Sequence, residues 1–158
     1  MDKMQETIWD NPRFRNWVAV GRACHAVERA LGQALAPLDL KTAHLDMMMN
    51  IHRHPGMSQQ ELANKLLVGR SNITMLLPQM EKRGLVVRQT DKIDKRVLRL
   101  QLTGEGEALL AKALDIHLAL VEKIMGETPE KECDIVGAAM NRITAVLTES
   151  TPAGEERR

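Results

Sequence analysis

The feature that most restricts this chain lies between Ser58 and Leu102, where two short amphipathic helices are followed at once by a charged β-ribbon. Ser58 is placed to cap the first helix, and Glu61 completes a Ser-Gln-Gln-Glu capping box. Leu62, Ala63 and Leu66 make its inner face. After Leu67-Val68-Gly69 a second helix is predicted from about Arg70 to Arg83, with Ile73, Leu76, Leu77 and Met80 facing inward. Gly84 supplies the left-handed residue that stops it. The aliphatic and β-branched runs 85–88 and 97–102 bracket a polar tip, Gln89 to Arg96, and read as a hairpin.

Long amphipathic helices flank this segment. From Pro12 to Ala36 the residues Phe14, Trp17, Cys24, Leu31 and Leu35 recur at multiples of three and four, with Val18, Val27 and Ala34 widening the stripe. Pro37 ends that helix. A helix over about Thr42 to Arg53 carries Leu45, Met48, Met49 and His52 and stops at Pro55-Gly56. Lys41 has no oxygen to offer the first-turn N–H groups, so either Thr42 caps this helix or the cap is lost. Thr103 caps a helix over Gly104 to Met125, and a last helix begins at Thr128-Pro129-Glu130 with proline at its first position. Its stripe is Ile135, Ala139, Met140, Ile143, Val146 and Leu147. The pattern is mainly α with a small β-wing.

Charge separates the same regions. Residues 52–103 hold ten Lys and Arg against four acids, whereas the rest of the chain holds 12 against 17. A basic middle between acidic arms is the footprint of a segment that faces phosphate. With one Phe, no Tyr and ten Met, the core must be aliphatic and methionine-rich, and therefore deformable. No apolar run reaches the roughly 20 residues that span a bilayer. The polar N-terminus does not resemble a secretory signal, and two cysteines make no disulfide framework, so a cytoplasmic protein is expected. There is no Gly-rich phosphate loop, nucleophile elbow or paired-carboxylate motif, so neither an enzyme nor a cofactor is expected.

The helix over 70–83 shows a short polar face opposite its apolar one. Ser71, Thr74, Met75, Pro78 and Gln79 lie on it, with Arg70 and Asn72 at its edges. Hydroxyl and amide groups of this size reach base edges in a major groove, asparagine pairs bidentately with adenine, and Met75 suits a thymine methyl. Ser58 and Gln59 open the preceding helix beside it. Lys92, Lys95 and Arg96 are placed to reach the backbone or minor groove, with Asp94 orienting the Arg96 guanidinium. Pro78 removes one helical N–H and predicts a kink opening toward the groove, not a break.

Five blocks in order resemble the signature of the MarR family of winged helix-turn-helix regulators: 58–63 (SQQELA), 69–74 (GRSNIT), 81–88 (EKRGLVVR), Asp91-x-x-Asp94-x-Arg96, and Leu102-Thr103-x-x-Gly106. The resemblance runs from about Leu40 to Gly106. It implies a homodimer joined by the first, fifth and last helices, a pseudo-palindromic double-stranded DNA operator, and release by a small organic effector. On this reading residues 1–38 form a dimerisation helix, 39–103 the DNA-binding domain, 104–150 further dimerisation helices and 151–158 a frayed tail. The one-sided apolar helices at both ends independently need a partner, and a second subunit is the economical one.

An effector pocket is expected among Trp17, Arg22, Cys24, His44, Met47 and Met48. Some relatives in that family use a cysteine in the first helix as a peroxide sensor, which gives Cys24 an alternative to the ordinary role of an inert buried thiol. Zinc sensing is a further alternative, with His25, Glu28, His44 and His117 as ligand candidates. That set is incomplete, because Val121 stands where a second histidine would follow His117.

Overall fold

The computed structural model describes residues 8–66 and 70–149, and of residues 70–72 and 149 the backbone alone. The elements in order are α1 (Pro12–Leu35), a 3-10 turn (Ala36–Leu38), α2 (Thr42–Arg53), α3 (Gln59–Lys65), α4 (Arg70–Lys82), β1 (Val86–Thr90), β2 (Leu98–Leu102), α5 (Gly104–Met125) and α6 (Glu130–Glu149). The chain divides into two compact units after Leu118, within α5.

Local chemistry sets most of these boundaries. Asn11 caps α1, its Oδ1 accepting from the Arg13 N–H at 2.9 Å, and Pro12 occupies the first helical position. The 3-10 turn through Pro37 ends with Asp39 in the left-handed region (φ 51°), which turns the chain into α2. The N-cap of α2 is Lys41 and no side-chain oxygen caps the helix, so of the two expected outcomes the cap is lost rather than taken over by Thr42. Instead the Lys41 N–H donates to His44 Nδ1 at 3.1 Å. The capping box of α3 forms as expected, with Ser58 Oγ accepting from the Glu61 N–H (3.1 Å) and Glu61 Oε2 from the Ser58 N–H (2.6 Å). Proline 129 stands one position before α6 rather than inside it, its carbonyl accepting from the Cys133 N–H.

In the unit through Leu118, the core gathers Leu45, Met47, Met48 and Ile51 of α2 with Leu62 of α3, the inner face of α4, Val86 and Leu100 of the strands, and Leu110 of α5. The strands pair antiparallel from Val86↔Leu102 to Thr90↔Leu98. A third short piece joins them: the Gly56 N–H donates to the Leu100 carbonyl and the Leu100 N–H to the Met57 carbonyl, both at 2.8 Å. The ribbon is therefore stitched to the chain entering α3.

One close approach fixes where α5 begins. A Cβ on Gly106 would lie 2.1 Å from the Leu85 carbonyl oxygen. That carbonyl already accepts from the Thr103 N–H, while Thr103 Oγ1 accepts from the Gly106 N–H and donates to the Gly84 carbonyl. Only glycine fits, which accounts physically for the Leu-Thr-x-x-Gly block. In the unit from Ala119, α6 exposes Ile135, Val146 and Leu147 of its apolar stripe.

Candidate nucleic-acid interface

The two faces of α4 separate as its periodicity requires. Ile73, Leu76, Leu77 and Met80 are buried, whereas Thr74, Met75, Pro78 and Gln79 are exposed, Met75 to 65%. The side chains of Arg70, Ser71 and Asn72 lie outside the described residues. The helix runs unbroken through Pro78 to Lys82, and the N–H that proline lacks is missing on the solvent side.

Three attachments hold the C-terminal end of α4. Arg83 donates to the backbone carbonyls of Asp39 (2.6 Å) and Leu38 (3.2 Å), tying the helix to the α1–α2 connection. Glu81 receives both Nε (2.7 Å) and Nη2 of Arg88, a fork that joins α4 to β1. Gly84, at φ 70°, supplies the stop. Gly84 is the stop expected from the sequence, whereas the carbonyl partners of Arg83 and the fork between Glu81 and Arg88 have no periodic signature and were not expected.

The ribbon tip is organised by Asp91. Its Oδ1 accepts from the N–H groups of Ile93 (2.8 Å) and Asp94 (2.9 Å), and its Oδ2 from Arg99 Nε (2.8 Å). The Asp94 and Arg99 hydrogen bonds, then that from Ile93, hold the Asp91 carboxyl down at about 2. Arg99 continues the brace, donating to the Gly56 carbonyl at 3.4 Å and lying 3.6 Å from Glu61 of α3. Glu61 is lowered as well, chiefly by the Ser58 N–H bond. Beyond this braced base, Lys92, Lys95 and Arg96 are exposed, and Asp94 Oδ1 accepts from Arg96 Nε at 3.2 Å. Sequence reading marked Asp94 and Arg96 but missed Asp91 and Arg99 as the groups that hold them. An Asp two residues before an N–H it accepts, as Asp91 stands to Ile93, was the available signal.

Residues expected around an effector fall in three places. Met47 and Met48 are fully buried in the core. Trp17 and Arg22 line a shallow cleft along α1 together with His25 and Arg29. His44 lines a second cleft with His25 and Glu28. Cys24 is exposed on α1, whereas a buried position was the ordinary expectation for it. His117 lies on neither cleft, and no three His, Cys, Asp or Glu side chains come together as a metal site among the described residues. His44 is buried, which, with Arg83 and Lys41 nearby, lowers its pKa and favours the neutral ring. Among the described residues no helix is long and apolar enough to cross a membrane.

A helix pair whose second member shows polar groups outward beside a braced cationic ribbon defines a winged helix-turn-helix DNA-binding protein. The MarR family model matches residues 40–98. An uncharacterized HTH-type transcriptional regulator of Bacillus cereus is 30% identical over 116 residues, 73% of this chain and 77% of that one. The transcriptional repressor CouR, bound to a 23-mer DNA duplex, is 29% identical with a TM-score of 0.71, covering 80% of this chain and 89% of its own. The organohalide-sensing RdhR regulator in its 2,4-dichlorophenol-bound form shares the fold at TM-score 0.79 and 19% identity, over 90% and 86% of the two chains. The chain belongs to the MarR family of DNA-binding transcriptional regulators.

Proposed function

We propose that the chain is a cytoplasmic, homodimeric repressor that binds a pseudo-palindromic operator and leaves it when a small organic effector binds. The observation that carries this reading is the outward face of α4 beside the braced ribbon. Ser58, Gln59, Arg70, Ser71, Asn72, Thr74, Met75 and Gln79 enter or border the major groove. Lys92, Lys95 and Arg96 contact the adjacent backbone or minor groove, with Asp94 holding Arg96. Residues 39–103 are the DNA-binding domain, and 1–38 and 104–150 provide the dimer contacts.

Support for the DNA reading comes from a relative of 29% identity, CouR, that holds a DNA duplex, and for an effector from the dichlorophenol held by RdhR. The exposed apolar residues Trp17 and Val27 of α1 and Ile135 and Val136 of α6 support a second copy as their cover.

The test is a gel shift on the DNA upstream of the chain's own coding sequence, with and without candidate organic acids. Salt-dependent binding that an acid abolishes is expected. Binding unaffected by salt would remove the phosphate contacts and the reading with them. Asn72→Ala is expected to relax sequence preference at one base position by about 1–3 kcal/mol, measured by competition with single-site operator variants.

A further inference from the structure

We propose that Ile93, at the crest of the ribbon, reads the DNA minor groove by shape, admitting a floor of A·T pairs and rejecting the amino group of guanine. This role rests on the DNA reading given above. It adds a contact residue that carries neither charge nor hydrogen-bonding group in its side chain.

Ile93 is 98% exposed, the most of any large apolar side chain among the described residues. A single aliphatic side chain in water is ordinary on a protein surface. What sets this one apart is how firmly it is presented. The loop from Lys92 to Arg96 is closed by the Asp91 N–H, which donates to the Val97 carbonyl at 2.9 Å. Inside it, Asp91 Oδ1 accepts from the Ile93 N–H itself (2.8 Å) and from the Asp94 N–H (2.9 Å). Asp94 Oδ1 accepts in turn from the Arg96 N–H at 3.0 Å, and the Asp94 carbonyl from the Val97 N–H at 2.9 Å. Arg99 anchors Asp91 from β2, so the backbone on both sides of Ile93 is fixed before any partner arrives. A tip formed in advance loses little conformational entropy when it docks.

Charge around the crest defines what it docks on. Lys92 precedes Ile93, and Lys95 and Arg96 follow within three residues, all of them exposed. The two acids of the tip are engaged by Arg99 and Arg96, which leaves a cationic surface with one apolar point. That pattern fits a groove with phosphate along both rims and base edges along its floor. The minor groove is about 6 Å wide, and its floor differs in one group: G·C pairs carry the guanine amino donor, whereas A·T pairs show acceptors only. The amino group stands out from the floor into the space a branched side chain needs. Isoleucine offers it no acceptor, so contact would bury that donor unpaired. Stretches of A·T pairs also narrow the groove, which closes its walls on the side chain and draws Arg96 inward. Isoleucine is among the apolar residues that minor-groove proteins insert there.

The test uses the full chain and a duplex from the DNA upstream of its own coding sequence, trimmed to the segment the protein protects from hydroxyl radicals. Each adenine is replaced in turn by 2,6-diaminopurine, which adds the minor-groove amino group and leaves the major-groove edge of adenine intact. At one short stretch in each half of the site, a single replacement is expected to weaken wild-type binding about tenfold. A G·C pair placed there is expected to do the same, and an inosine·C pair, which lacks the amino group, to restore binding. Ile93→Ala is expected to keep the melting temperature and the salt slope of the wild type, since it removes no charge and no buried contact. It is expected to bind the unmodified duplex about threefold more weakly and to respond to the diaminopurines by less than about twofold. Undiminished discrimination in Ile93→Ala would overturn the role and assign the preference to groove width read by Arg96. Salt-dependent binding of the wild type that ignores every diaminopurine would also overturn it, while the DNA reading stood. Failure to bind the upstream DNA at any salt concentration would bring down both.

Discussion

Helices α4 and α6 have the same kind of sequence, a one-sided apolar stripe of aliphatic residues, and opposite fates. In α4, Ile73 and Leu77 are each 1% exposed. In α6, Ile135 is 66% exposed and Val146 62%. Periodicity reveals that a helix has a face to bury, but not whether the surface that covers it belongs to the same chain. The face of α4 lies in one core cluster with residues of α2, α3 and the strands, which leaves its polar side outward. The face of α6 is exposed, and that exposure is what the proposed homodimer answers.

The contrast is broken most forcefully at the buried face. Leu77→Ala is expected to lower stability by about 2–5 kcal/mol in urea unfolding, from lost transfer energy and the cavity left behind. Ile135→Asp is expected to leave the helical circular dichroism of the chain intact and to abolish the dimer, read as halved mass by light scattering. If the two substitutions had the same effect on unfolding and neither changed the mass, the distinction between the faces would be lost.

A second test concerns the close approach that fixes where α5 begins. Gly106→Ala places a methyl against the Leu85 carbonyl, which hydrogen bonding holds in place. A loss of about 1–3 kcal/mol is expected by the same unfolding measurement, typical of overpacking. The outward side is probed by Arg96→Ala, expected to weaken operator binding about tenfold and to reduce the salt slope by about one, with unchanged mass.

The smallest effect concerns the brace of the ribbon. Asp91 has its carboxyl held at about 2, below its ordinary 3.8. Its contribution to stability is therefore full above about 3.8 and is lost as pH falls toward 2. Comparing wild type with Asp91→Asn by unfolding from pH 7 to pH 2 is expected to show a small gap that closes over that window. A gap that widened on acidification would contradict the arrangement.

Legibility in the sequence followed the range of the interactions. Helices α2, α3 and α5, the capping box at Ser58 and Glu61 and the split faces of α4 are written in periodicity and in residues three or four apart. The tie of Arg83 to the Asp39 carbonyl, and the brace from Arg99 through Asp91, join residues far apart or depend on backbone carbonyls that carry no sequence signal. What replaces the lost cap of α2 was illegible for a related reason. Lys41 cannot cap by itself, and the compensating acceptor for its N–H is His44 Nδ1, on a ring whose neutral form burial favours. Residues 70–72 are proposed for base contacts from helical geometry alone, their side chains lying outside the described residues.

The most direct test of the contrast between the covered and uncovered helix faces is the mass of the purified full chain in solution, measured by light scattering over a range of concentrations. Twice the 17.7 kDa of one chain, persisting on dilution, is the expected result. A stable species of 17.7 kDa, with the apolar faces of α1 and α6 left in water, would contradict it.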